Sequence, residues 1–234
     1  ATGSDDVEYR ESIFTGYRYY DRYRIPVCYP FGFGLSYTAF DYSDLKLEKD
    51  LFTGGEMKVS FTITNTGNRK GAETAQIYVK NPTGCHYLRA EKELKGFIKT
   101  ELLPGESKQV SVSLDERSFS VYDEKMQKFL MPSGEYQILV AASSQDVRLS
   151  ASLSVKGVSY ERDDRELLFE YFDPAVRIQE ISHKQFLRLY GRETSHFDRA
   201  EPGSYTMYHS LRQLSEHSGM ARGFLKLAEK AAGI

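Results

Sequence analysis

Between residues 43 and 157 the chain repeats one pattern: apolar and polar side chains alternate, and turn residues cut the alternation into short runs. Met57, Val59, Phe61 and Ile63 share one face, while Lys58, Ser60, Thr62 and Thr64 share the other. Val110, Val112 and Leu114 alternate with serines, and Val147, Leu149, Ala151, Leu153 and Val155 alternate with Arg148, Ser150, Ser152, Ser154 and Lys156. Only a strand places successive side chains on opposite faces, so each run predicts a half-buried β-strand. The breaks at Thr53-Gly54-Gly55, Asn65-Thr66-Gly67-Asn68, Asn81-Pro82-Thr83-Gly84, Pro104-Gly105 and Pro132-Ser133-Gly134 are turn chemistry. About seven short strands with regular turns, and no strong helical period among them, predict an immunoglobulin-like β-sandwich.

The flanks differ. Up to residue 42 lie eight tyrosines and four phenylalanines, interleaved with Arg10, Arg18, Arg22 and Arg24 and with Glu8, Glu11 and Asp21. So many large amphipathic rings must pack on something. Gly and Pro beyond Ile25 predict an extended, turning path. From residue 158 the pattern turns helical after a charged stretch, Glu161 to Arg165. Short helices are expected at Ile181–Tyr190, with Ser182 as N-cap and Gly191 past its end, at Thr206–His217, and at Met220–Ala232 with Phe224, Leu227 and Ala231 on one face. Helices this short need a surface to dock on. The chain is thus read as mainly β in three zones: an aromatic N-terminal extension (1–42), a β-sandwich (43–157), and a linker with a helical tail (158–234).

Composition excludes several classes. A formal net charge of −2 gives no electrostatic footprint for nucleic acid or an anionic membrane. No apolar run is long enough for a membrane-spanning helix. The five histidines show no metal-ligand spacing, so neither a metal nor a cofactor is expected. Cys28 and Cys85 are expected as free thiols. Ala1 to Asp6 lacks the basic start and apolar core of a signal peptide and reads as a cut end; the absence of a polar stop after Ala231-Ala232-Gly233 reads as truncation. Export is left open, with a leaning to a cytoplasmic, bacterial-type soluble protein.

Two blocks in the aromatic zone carry a resemblance. Gly16-Tyr17-Arg18-Tyr19-Tyr20-Asp21, followed by Pro30-Phe31-Gly32 and Gly34-Leu35-Ser36-Tyr37-Thr38, resembles the end of the second domain of glycoside hydrolase family 3. Phe33 stands where that family often has histidine. The sandwich zone is similar to the fibronectin type III-like domain that follows in many members. The residues carrying that likeness are Gly67 to Glu73, Ala75 to Val79, Lys92 to Phe97, Leu103 to Ser107 and Phe119 to Asp123. Phe186-Leu187-Arg188-Leu189-Tyr190-Gly191 is similar to a block in the tail of some bacterial members.

The resemblance implies a retaining β-glycosidase, most often a β-glucosidase, with an aspartate nucleophile on a (β/α)8 barrel and an acid/base on the second domain. Such chemistry needs two carboxyls about 5 Å apart. This chain lacks the family's nucleophile motif and has no tryptophan, so no catalytic residue is carried over and the chain alone is expected to be inactive. Its partners would be the catalytic domains of a parent enzyme, which alone would meet the β-glucoside; a homodimer through the tail helices is left open. Arg18, Tyr19, Tyr20 and Asp21 are the candidates for closest approach to a sugar pocket, set against plain ion pairing of the acids with neighbouring arginines. His86, Tyr87 and Arg89 are read as a solvated loop with one packed tyrosine, and Asp163, Asp164 and Glu166 as solvated acids rather than a cation site.

Two other functions compete with a structural one. A carbohydrate-binding module would present its rings to β-glucan, but the absence of tryptophan and the even polar strand faces count against it. A free-standing adhesion domain of fibronectin type would have no use for the two aromatic blocks.

Overall fold

The computed structural model describes residues 8–82, 84–124, 126–159, 163–191 and 210–233. The chain divides into two compact units, residues 1–186 and 187–234. The first holds ten strands: β1 (Phe40–Leu47), β2 (Leu51–Phe52), β3 (Glu56–Asn65), β4 (Gly71–Lys80), β5 (Lys92–Leu102), β6 (Ser107–Asp115), β7 (Val121–Asp123), β8 (Lys128–Leu130), β9 (Gly134–Ser143) and β10 (Asp146–Val155). Seven are long, as the period-two runs require. The additions are the two-residue β2 and the β7–β8 hairpin, both too short to leave a period.

One sheet runs β1-β3-β6 and the other β2-β10-β9-β4-β5. All pairings are antiparallel except β2 with β10. The two sheets enclose a dry core in which Met57, Val59, Phe61 and Ile63 of β3 meet Ile77 and Val79 of β4, Ile138 and Val140 of β9, and Leu153 of β10. Phe52, Phe119 and Tyr136 close one end, Phe119 lying 4.7 Å from Phe52 and 5.5 Å from Tyr136 between ring centroids.

Alternation fails at two instructive places. Val147 points outward, because the β9–β10 register shifts on either side of it and a bulge reverses the faces. In β4, Ala75 to Val79 are all buried. That strand is covered on both faces, by the sandwich core on one side and by the aromatic extension on the other.

The helices are short: α1 (Tyr17–Arg22), α2 (Glu116–Phe119), α3 (Asp164–Leu167), α4 (Phe169–Phe172), α5 (His183–Tyr190), α6 (Leu211–His217) and α7 (Gly219–Ala232). Asp115 and Ser118 cap α2 reciprocally. The Ser182 hydroxyl accepts from the Gln185 amide at 3.2 Å, and Gly191 takes the left-handed conformation after α5, as expected. The tail helix expected from Thr206 begins at Leu211; residues 206–209 lie outside the described residues. α1 had no counterpart in the sequence reading of the aromatic zone. In the second unit α6 and α7 form a hairpin, and α7 leaves Met220, Phe224 and Leu227 exposed along one stripe.

Candidate functional site

The aromatic extension lies across the outer face of the five-stranded sheet. Tyr17 is the anchor. Its ring stacks on Phe31 at 5.3 Å and meets the Tyr78 ring edge-on at 5.7 Å, while its hydroxyl accepts the Leu94 amide of β5 at 3.0 Å. Tyr78 is fully buried, which together with the nearby Tyr17 and Asp21 pushes its phenol above the ordinary tyrosine range. Its hydroxyl donates to Gln76 Oε1 at 2.6 Å, and Gln76 Nε2 donates to the carbonyls of Gly32 and Ala142. A buried glutamine thus ties the Phe31–Gly34 turn to β4 and β9. Gly32 has φ 79°, and a Cβ there would come within 2.1 Å of that glutamine, so only glycine lets the turn approach so closely.

The candidate residues Arg18, Tyr19, Tyr20 and Asp21 all lie on α1, but they face different partners. Asp21 pairs with Lys92 of β5 at 3.0 Å, both side chains largely buried. A lysine thus stands where one of the neighbouring arginines was expected. Arg22 stacks on Phe14 at 4.4 Å and donates to the Tyr171 carbonyl. Tyr19 packs edge-on to Tyr23 at 5.0 Å, and its hydroxyl accepts from Gln179 at 3.3 Å. Tyr20 is partly exposed, and Arg18 lies over the Tyr17 ring. Among the described residues, only the Arg10–Glu8 pair, at 2.6 Å, follows the expected arginine–carboxylate scheme.

Residues 164–183 hold this extension from the other side. Tyr23 donates its hydroxyl to the Val176 carbonyl at 2.8 Å, Arg177 stacks over the Tyr23 ring at 4.9 Å, Arg10 donates to the Ile181 carbonyl at 2.7 Å, and His183 contacts Glu8 at 2.6 Å. Sequence reasoning missed this clamp. Two of these contacts end on backbone carbonyls, which leave no residue pattern, and the other two, Arg177 with Tyr23 and His183 with Glu8, join side chains far apart in the chain.

Tyr87 is the packed tyrosine expected in the connection to β5, but its neighbours His86 and Arg89 are engaged as well. Tyr87 is buried with its hydroxyl 3.3 Å from Asp123, His86 Nδ1 lies 3.3 Å from Asp163, and the Arg89 side chain is only 4% exposed, with its Nε 3.2 Å from Glu93. Asp163 caps α3 and is bonded to Arg165, which holds its carboxyl below the usual range. Asp164 is buried.

From Tyr29 onward the extension turns large apolar side chains outward: Tyr29, Phe31, Phe33, Leu35 and Tyr37 are 50–89% exposed. A pocket of about 510 Å3 opens between Phe31–Ser36 and β4–β5, with Phe97 at its rim. Next to it, Tyr42 donates to Glu73 at 2.8 Å, and burial raises the pKa of both groups. These features together place exposed apolar side chains and a pocket on one face of a sandwich. They include no pair of carboxyls placed for glycoside chemistry among the described residues.

The family described as fibronectin type III-like domain matches residues 73–144. The chain contains a fibronectin type III-like domain. It is 45% identical over 155 residues to the thermostable β-glucosidase B of Acetivibrio thermocellus, covering 65% of this chain and 20% of that protein. Against the exo-α-(1→6)-L-arabinopyranosidase of Bifidobacterium longum it is 43% identical over 152 residues, covering 64% and 20%. In structure it is similar to the family 3 β-glucosidase of Bifidobacterium adolescentis, with TM-score 0.60 and 37% identity over 74% of this chain and 25% of that one. The chain therefore matches the C-terminal part of long glycoside hydrolase family 3 enzymes and spans about a fifth of the length of these curated relatives.

Proposed function

We propose that this chain is the non-catalytic C-terminal portion of a family 3 β-glucosidase-like enzyme, and that it holds the enzyme's domains together. The supporting observation is the aromatic extension: its inner rings are clamped between the sheet and residues 164–183, while its outer rings stay exposed. A segment fixed so firmly on one side and left bare on the other is an adhesive strip between the fibronectin type III-like domain and the catalytic domains. Burial of such rings contributes roughly 25 cal/mol per Å2 before entropic costs. The β-glucoside would be met only by those absent domains. Relatives with two different named sugar activities match this region about equally well, which supports a role that does not choose the sugar.

A second reading has one observation in its favour: the pocket beside Phe33 and Phe97 could seat a sugar ring between exposed aromatic side chains. Calorimetric titration with glucose, cellobiose and longer β-glucans, together with an assay on an aryl β-glucoside, separates the two. A flat titration and no turnover are expected. Millimolar or tighter binding would replace the adhesive reading with a binding module, and turnover would overturn the non-catalytic assignment.

A further inference from the structure

A second pocket, of about 390 Å3, lies where α1, the 82–92 connection, α2 and the β7–β8 hairpin meet. Its charge is one-sided. Arg18, Arg89, Lys95 and Arg117 line it together with a single carboxylate, Glu93. That carboxylate is fully engaged: one oxygen lies 3.2 Å from Arg89 Nε and the other 2.6 Å from Lys95 Nζ. Burial works to raise the Glu93 pKa, but the two cations outweigh it and hold the group ionised and below the usual range. Arg89 is partly engaged within the fold, donating Nη1 to the Phe119 carbonyl at 3.2 Å and leaving its buried Nη2 without a hydrogen-bond partner.

Arg18 and Arg117 are different. Among the described residues neither has a carboxylate partner; Arg18 lies 5.8 Å from the Tyr17 ring and Arg117 sits 3.6 Å over the Phe129 ring. A guanidinium stacked on an aromatic face keeps the N–H fork in its own plane free, where a planar carboxylate can accept two bonds. Tyr122 and Phe129, packed edge-to-face at 5.0 Å and about half exposed, form a wall, and Ile13 and Leu88 give an apolar floor. The volume suits one small ring with substituents. We propose that this pocket binds a carboxylate borne on a six-membered ring, the carboxylate accepting from Arg18 and Arg117 and the ring lying against Tyr122 and Phe129. This site is separate from the outward rings of the aromatic extension and does not depend on the adhesive role proposed for them.

The test is an amide NMR titration of the full 234-residue chain with glucuronate, benzoate, inorganic phosphate and neutral glucose. Glucuronate is expected to shift the amides around Arg117, Tyr122 and Phe129 saturably in the millimolar range, with glucose silent. Arg117→Gln or Arg18→Gln should weaken binding about tenfold, the scale of losing a charge-assisted bond, while Arg69→Gln on a distant exposed turn should not. Glucuronate much tighter than benzoate would assign the carboxylate to a sugar; equal affinities would assign it to ring carboxylates in general. No saturable shift at tens of millimolar would overturn the proposal. So would phosphate binding without carboxylate binding, or an equal loss in Arg69→Gln. Either pocket variant alone suffices, should the other fail to fold.

Discussion

The β-sandwich and the aromatic extension are held in opposite ways. In the sandwich, Phe61, Ile63, Ile77 and Val140 are fully buried among one another and make contacts without direction. The extension is fixed by bonds that work in one geometry only: Tyr17 to the Leu94 amide, Arg22 to the Tyr171 carbonyl, Gln76 to the Gly32 carbonyl. Non-directional burial supplies most of the stability, whereas directional bonds determine where a strip of chain lies. The sandwich is therefore the platform, and the extension is a positioned edge whose outer side chains are exposed.

The largest effect expected is on the platform. Phe61→Ala removes a ring that no solvent reaches and should cost about 4 kcal/mol, read as a lower urea midpoint with an unchanged slope. A loss below about 1 kcal/mol would mean the core is not what holds the domain.

Glu93→Gln comes next, at the join between the two regions. The Glu93 side chain is 16% exposed and shares Arg89 and Lys95, so the variant strands two nearly buried cations and should cost about 3 kcal/mol at pH 7. The folded pKa of Glu93 is depressed, so its contribution is complete above the unfolded value of about 4.3 and is lost as pH falls through the lower folded value. The gap between wild type and variant should therefore close in acid. Urea titrations at neutral and acid pH check this; a gap independent of pH would assign the loss to packing instead of charge.

The two regions also differed in how much the sequence disclosed. Burial on one face of a strand forces alternation, and Met57 to Ile63 announced β3 and its core face without help. A bulge breaks that rule locally, which is why Val147 was read as buried and is not. The rings of the extension were legible as needing a surface, but their partners were not. Asp21 chooses Lys92 across 71 positions of chain, and the tail grips through the carbonyls of Tyr171, Val176 and Ile181, atoms that every residue carries. The second pocket was hidden for the same reason: Arg18 on α1 and Arg117 on α2 are far apart in the chain and line one pocket only in the folded domain.

Arg22→Ala tests whether the clamp is separable from the platform. It removes the bond to Tyr171 and the stack on Phe14, about 2 kcal/mol together, and the loss should stay local. Hydrogen exchange should quicken in residues 164–182 and leave β3, β4 and β9 protected. Equal quickening in the strands would show that extension and sandwich unfold as one cooperative unit, and the contrast between them would be one of bonding style only.

The smallest effect is the most telling for function. Leu35 and Tyr37 are 78% and 89% exposed on the outward side of the extension. Replacing both with alanine should change the stability of this chain by no more than about 0.5 kcal/mol, as for surface positions generally. Phe14→Ala, at a ring only 2% exposed on the inward side of the same strip, should cost about 3 kcal/mol. A sixfold asymmetry between the two faces of one short segment would mean that the outward rings do nothing for the fold that displays them. Large apolar side chains kept in water at no benefit to their own domain require a contact supplied by another surface. Thermal denaturation of the two variants side by side decides it. If the Leu35/Tyr37 variant loses as much as Phe14→Ala, those rings pack on this chain in solution, and the adhesive strip has no free face with which to hold a neighbouring domain.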